Sequence, residues 1–193
     1  MEFQQIVDKF NIPDKTAITG TTSLKLKQDV YNFLYPQSKD QTIVEFGSFR
    51  GHFTQLFSEM FKQVYSIDWV TNEYYDENCN DIENVTKYIH DLYRSDILSL
   101  NLRDIDVIVI DAVHTYNAVR VDTFSAYKIL KPKGYLIYDD YGAFEEVKHS
   151  IDSLVRENII KIVKPIGESK GYSYRAGKVL NDHEGLIAQF VSK

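Results

Sequence analysis

Apolar and polar positions switch between two periods along the chain, and the switches mark its elements. Thr42-Ile43-Val44-Glu45-Phe46-Gly47 is a short β-branched and apolar run closed by glycine, which predicts a buried strand. Phe53, Leu56, Phe57, Met60 and Phe61 then recur at spacings of three and four, giving one apolar helix face. Val64 to Asp68 reads as a second strand ending in an acid. Asp106 to Asp111 is the clearest strand, with the unbroken apolar run of a parallel strand covered on both faces. Tyr116, Val119, Phe124, Tyr127 and Leu130 suit a helix, Lys131-Pro132-Lys133-Gly134 a turn, and Gly134 to Tyr138 a strand running into Asp139-Asp140. Phe144, Val147, Ile151, Leu154 and Val155 share a helical face.

The flanks are less regular. Leu24, Leu26, Val30, Phe33 and Leu34 predict a helix that starts after Ser23 and stops at Pro36, with Lys25 and Lys27 on its solvated side. Residues 1–20 read as irregular or weakly helical, and Asn72 to Asn84 as a loop with a short helix. Tyr88 to Tyr93 fits strand and helix equally well. Ile159 to Val163 and Gly171 to Val179 predict two closing strands. Strand and helix thus alternate as in a doubly wound α/β sheet with helices on both faces, a three-layer α/β/α sandwich. One domain is expected over residues 1–193, with a helical extension (1–40) before an α/β core (41–193). Right-handed crossovers put the strands' carboxyl ends on one edge, where such sheets bind ligands. Glu45, Asp68, Asp111, Asp139 and Asp140 all fall there.

Composition narrows the classes. The 193 residues are 44% hydrophobic and 13% aromatic, too apolar for a disordered chain. No run approaches the roughly 18 apolar residues of a membrane span. The first residues carry charges and no apolar leader segment, and Cys79 is the sole cysteine, so a cytoplasmic setting is expected. The formal net charge of −6 argues against a nucleic-acid partner.

The turn after the first strand, Gly47-Ser48-Phe49-Arg50-Gly51, fails two phosphate-binding patterns. A dinucleotide fingerprint needs glycines at its third and sixth positions, where Phe49 and His52 stand, and no Gly-Lys-Ser/Thr follows for a P-loop. Glu45 just before the turn would repel a pyrophosphate and favour a cation. Asp68 lies about 20 residues on, the usual spacing of an acid that accepts from a ribose hydroxyl. An adenosyl ligand with positive charge and no phosphate meets both conditions, and S-adenosylmethionine (AdoMet) is the candidate. The plainer alternative is that Gly47 and Gly51 only make a tight strand-to-helix turn.

Three stretches carry a family likeness: Val44 to Thr54 with Asp68 behind it, Val109-Ile110-Asp111-Ala112-Val113-His114-Thr115-Tyr116, and Leu130 to Phe144 with its Asp139-Asp140-Tyr141-Gly142. In these the chain resembles the class I AdoMet-dependent methyltransferases, and within them the macrocin- and novobiocin-type sugar O-methyltransferases. The resemblance implies a Rossmann-like, seven-stranded, mostly parallel sheet with an antiparallel last strand, and AdoMet held by Glu45, Gly47, Ser48, Phe49, Arg50, Gly51, Asp68, Trp69, Asp96, Ile97 and Asp111. It further implies a divalent metal, usually Mg2+, on Asp111, Asp139 and Asp140, a small-molecule acceptor, and compatibility with a homodimer. Relatives commonly carry Asp-Gly-Asp in the second stretch; here it is Asp111-Ala112-Val113, and a valine binds no metal.

For the transfer itself, Asp111 and His114 are the catalytic candidates, with His114 in the loop after Asp111 as a base for an acceptor hydroxyl. Asp139-Asp140 could equally form a turn and cap the next helix, and His114 could be an exposed loop residue. Tyr74, Tyr75, Tyr172 and Tyr174 are candidates for an acceptor pocket or for packing. Cys79, in an acidic stretch, is a poor nucleophile. Two other activities fit the same residues: a non-catalytic or lyase-like AdoMet-binding protein, and a nucleotide-sugar or NAD enzyme of similar topology.

Overall fold

A computed structural model describes residues 1–193, the Pro36 side chain excepted. Six helices are formed by Phe3–Phe10 (α1), Leu24–Ser38 (α2), His52–Met60 (α3), Glu73–Cys79 (α4), Tyr116–Ile129 (α5) and Glu145–Arg156 (α6). The strands are Thr42–Phe46 (β1), Gln63–Asp68 (β2), Val85–Ile89 (β3), Ile105–Ile110 (β4), Leu130–Tyr138 (β5), Ile160–Ile166 (β6), Tyr172–Ser173 (β7), Lys178–Val179 (β8) and Gly185–Phe190 (β9). Seven of them make one sheet in the order β3-β2-β1-β4-β5-β9-β6, in which β9 runs antiparallel to both neighbours. This is the doubly wound architecture expected from the alternating periods, and the Rossmann-like seven-stranded sheet that the resemblance implies.

The alternating strand residues feed two cores. Ile43, Val107, Val109, Ile137 and Ile187 pack on the side of α1, α2 and α3. Val44, Phe46, Ile108, Ile110, Leu136 and Tyr138 pack against α5 and α6. A strand covered on both faces has no position where a polar side chain meets water, which is why β4 reads as a continuous apolar run.

Four expectations change. Residues 3–10 form a true helix, closed at its start by a capping box between Glu2 and Gln5, with Ile6 and Val7 buried. Helix α2 continues to Ser38, whose hydroxyl donates to the Tyr35 carbonyl in the last turn. Lys131–Gly134 is a bulge inside β5, not a turn: the register jumps from Ile105↔Leu130 to Val107↔Tyr135, and Lys133 takes a left-handed φ of 64°. The sheet's last strand is Gly185–Phe190, while residues 171–179 form only a two-stranded hairpin, β7–β8. That hairpin leaves the sheet and brings Arg175, in its turn, to the carboxyl edge.

Candidate functional site at the carboxyl edge

Gly47 ends β1 at the point where the sheet order reverses. Its φ is 83°, and a Cβ there would lie 2.2 Å from the Asp111 carbonyl oxygen, so the turn presses bare backbone against the end of β4. Its N–H donates to the Ile67 carbonyl of β2 at 2.9 Å. Gly51, at φ 79°, begins α3, and a Cβ there would meet Cys79 Sγ at 2.5 Å. Phe49 between them is also left-handed, at φ 45°. Asp68 Oδ2 accepts from the Phe49 N–H at 3.1 Å, which ties this turn to the end of β2.

The turn floors a cleft of about 290 Å³ whose walls include Gly20, Gly47, Phe49, Asp68, Trp69, His90, Leu92, Tyr93, Asp111, Val113 and Arg175. A narrower extension passes beneath residues 20–22 to Glu45, Ser48, Arg50 and His52. Burial pushes the Glu45 carboxyl up to about 8, against a hydrogen bond from Thr54 Oγ1 at 2.5 Å. Lys27 is fully buried rather than solvated. Its ammonium donates to the Thr22 carbonyl and Oγ1, both at 2.6 Å, and so pins the 20–22 segment over the cleft. Burial lowers that ammonium to about 8.

Not every expected residue arrives. Phe49, Asp68, Trp69 and Asp111 line the main cleft, and Glu45, Ser48 and Arg50 its extension. Gly51, Asp96 and Ile97 line neither. Asp96 is exposed, caps the 3₁₀ turn Ile97–Leu100 and pairs with Lys128, while Ile97 is buried in the core. The reason is register: Asp68 pairs with Ile89, so the residues directly after β3, His90 and Leu92, reach the cleft wall instead. Tyr75 is core beneath Gly51, and Tyr74 stacks under the Arg50 guanidinium. Tyr172 and Tyr174 pack edge to face on the exposed hairpin. Burial raises the Cys79 thiol to about 12, which keeps it inert.

At the other end of the cleft three aspartates converge. Asp140 sits at the strained φ of 60°, and its carbonyl, not its carboxylate, makes the turn into α6 by accepting from Ala143 and Phe144. The side chains are thereby free to face the site. Arg175 Nη1 lies 2.8 Å from Asp139 Oδ2 and 3.2 Å from Asp140 Oδ2, and Nη2 lies 3.0 Å from Asp111 Oδ1. His114, stacked on Phe144 with ring centres 4.5 Å apart, places Nε2 2.9 Å from Asp140 Oδ2 and 3.5 Å from Asp111 Oδ1. Burial alone would lower this imidazole, but the adjacent Asp111 and Asp140 carboxylates raise it to about 10. Burial would likewise raise Asp111, yet the Arg175 and His114 charges hold it below the ordinary carboxylate range. Asp139 is driven well above that range by burial and by the other two carboxylates.

Asp111, His114 and Asp140 each offer a ligand atom within 4.8 Å of the others, the spacing of a cation site. The divalent metal implied by resemblance meets an obstacle there, because the Arg175 guanidinium already lies among the three carboxylates. As arranged, the donor set does not fit a resident metal ion. The arginine went unnoticed in the sequence; the one available signal was an excess of acids along the sheet edge, which requires a cation from elsewhere in the chain.

Residues 44–141, half of the chain and the span that holds the glycine turn and all three aspartates, match a protein family described as a methyltransferase domain. The chain belongs to that family. Solved structures agree on the fold of this methyltransferase. The O-methyltransferase TomG from Streptomyces achromogenes superposes with a TM-score of 0.62 at 15% identity, covering 99% of this chain and 88% of TomG. An O-methyltransferase from Bacillus cereus gives 0.62 at 14% identity, covering 98% and 90%. An rRNA methylase from Streptococcus thermophilus gives 0.61 at 14% identity, covering 86% and 95%. No curated protein sequence matches the chain. Among the described residues of the methyltransferase, no helix is long and apolar enough to cross a membrane.

Proposed function

We propose that this methyltransferase uses AdoMet to methylate a hydroxyl of a small molecule, a sugar or glycosylated metabolite, in a cytoplasmic setting. The observation that carries the donor is the cleft between Asp68 and Asp111, floored by the bare turn at Gly47 and leading to Glu45. Asp68 is placed to accept from a ribose diol, and Glu45, in its carboxylate form, to favour the donor's cationic end. The structures of TomG and the Bacillus cereus enzyme hold SAM and SAH respectively, which supports the same donor here. A net charge of −6 favours a neutral small acceptor over a polyphosphate chain such as RNA.

AdoMet supplies an activated methyl: the acceptor oxygen attacks it, the methyl–sulfur bond breaks with its electron pair left on sulfur, and the hydroxyl proton is released. The protein's part is to hold the acceptor in line and to take that proton. His114 does so in its neutral form, a minority at pH 7 because its carboxylate partners raise it to about 10.

Calorimetric titration with AdoMet, S-adenosylhomocysteine and NAD tests the donor. The first two bind and NAD does not; binding of NAD with neither adenosyl compound overturns the reading. Labelled AdoMet incubated with a panel of sugars, glycosides and RNA then tests the acceptor, and label entering RNA alone overturns the small-molecule assignment.

A further inference from the structure

The Arg175 contacts show a carboxylate cluster that already holds a cation. A bound Mg2+ sits about 2.1 Å from its oxygens and requires a near-octahedral shell of them. Here Asp111, Asp139 and Asp140 each direct an oxygen at Arg175 nitrogens, at 3.0, 2.8 and 3.2 Å. The guanidinium donates to Asp111 and Asp139 and lies against Asp140 as an ion pair, so a divalent ion among the same oxygens would compete with it for one space and be repelled by its charge. Arg175 is also built in rather than draped over the surface. It stands in the turn of the β7–β8 hairpin, where Ser173 is buried and its Oγ accepts from the Ala176 N–H at 3.1 Å. Its side chain lines both the main cleft and the extension toward Glu45.

We propose that Arg175 is the resident cation of the transfer site, standing where three converging carboxylates would otherwise hold a divalent metal. The consequence is a protein that takes up no divalent ion at these aspartates. The guanidinium orients Asp111 and Asp139 by hydrogen bonds and holds Asp140 beside them by charge. Arg175 is therefore a positioning residue. Its importance to methyl transfer rests on the proposed function, but its exclusion of metal does not.

The test is Mn2+ uptake by the purified full chain, read from the electron paramagnetic resonance signal of free Mn2+, with AdoMet titration run on the same samples. The wild type is expected to leave the Mn2+ free. Arg175→Gln removes the charge and uncovers the aspartates, so it is expected to bind Mn2+ at least about 100-fold more tightly than the wild type. Adding Asp139→Asn to that variant should abolish the gain. Stoichiometric uptake by the wild type overturns the proposal without any variant. So does an Arg175→Gln protein that retains its circular dichroism spectrum yet binds no Mn2+. Should Arg175→Gln fail to fold, Arg175→Lys, which keeps the charge, must still exclude Mn2+; uptake by that variant counts against the proposal. Absence of AdoMet binding in the wild type would count against the proposed function and leave the metal result standing.

Discussion

The two ends of the cleft are built on different principles. The donor end comes from consecutive pieces of chain: β1, the turn at Gly47, α3, and Asp68 at the end of the neighbouring strand. Each residue type there answers a local demand, glycine for a left-handed turn under a backbone contact and an acid for the strand terminus. The transfer end is assembled by charge across long separations. Asp111 ends β4, Asp139 and Asp140 follow β5, and the guanidinium that binds them arrives from a hairpin inserted between β6 and β9. A site made by backbone geometry announces itself in sequence, whereas one made by long-range ion pairing shows only half of each pair.

The largest expected effect lies at the geometric end. Gly47→Ala adds a Cβ that would overlap the Asp111 carbonyl at 2.2 Å and the Ala112 Cα at 2.6 Å, at a φ that L-residues rarely adopt. Neither obstacle is a flexible side chain, so β1 and β4 must move apart. The expected loss is about 3–5 kcal/mol in urea unfolding, with AdoMet binding abolished. A variant that stays fully stable and binds donor would show that this turn is not under close contact. Asp68→Ala comes next. It should leave the fold in place but weaken AdoMet by about 1–3 kcal/mol in calorimetry, the cost of an unpaired ribose hydroxyl. Part of that loss is indirect, because Asp68 also accepts from the Phe49 and Trp69 N–H groups.

The same contrast explains how much of the architecture could be read in advance. β1, β2, β4 and the helices on either side were legible because two-sided burial imposes unbroken apolar runs on strands and a single apolar face on helices. The last strand was not. Gly185–Phe190 is short and lies near the chain end, while Gly171–Val179, with its tyrosines and valine, carries a stronger β signal but forms only a hairpin. Pairing of β9 with β5 on one side and β6 on the other decided that outcome, and nothing local records it. Lys27 failed for a related reason: a lysine in a polar helix stretch reads as solvated, but the Thr21-Thr22 segment that covers it comes from outside the helix.

Two pH dependences sharpen the comparison, one at each end. At the donor end Glu45 is raised to about 8, so below that pH it must lose a proton before it can favour a cationic ligand. AdoMet affinity should rise with pH, by at most about tenfold per unit, and level off above about 8. Titrations in buffers of different ionisation enthalpy would register the released proton. At the transfer end His114 moves the other way in charge: its value climbs from the ordinary 6.5 to about 10 in the fold. A raised value means the imidazolium is stabilised by folding. That contribution is complete below about 6.5 and lost as pH rises through about 10. The melting temperature should therefore fall as pH rises through about 10. His114→Gln should flatten this part of the Tm-against-pH curve, and an unchanged slope would show that the pairs to Asp111 and Asp140 contribute nothing.

The smallest expected effect concerns Asp96, a residue that resemblance put in the donor site and that does not line the cleft. Asp96→Ala removes the side chain that accepts from the Leu98 N–H at 3.0 Å and pairs with Lys128 at 3.0 Å. Both interactions lie on the exposed surface, where water replaces a lost carboxylate and salt screens the pair. AdoMet affinity should therefore match the wild type. His90→Ala, at the position after β3 that does line the cleft, should weaken it. The pair of variants is informative because each candidate follows from a different way of counting. One counts along the chain from a motif, and the other counts across the sheet from Asp68↔Ile89. If Asp96→Ala lost donor binding and His90→Ala kept it, the parallel register between β2 and β3 would be wrong, and the wall of the cleft would have to be rebuilt around the 3₁₀ turn.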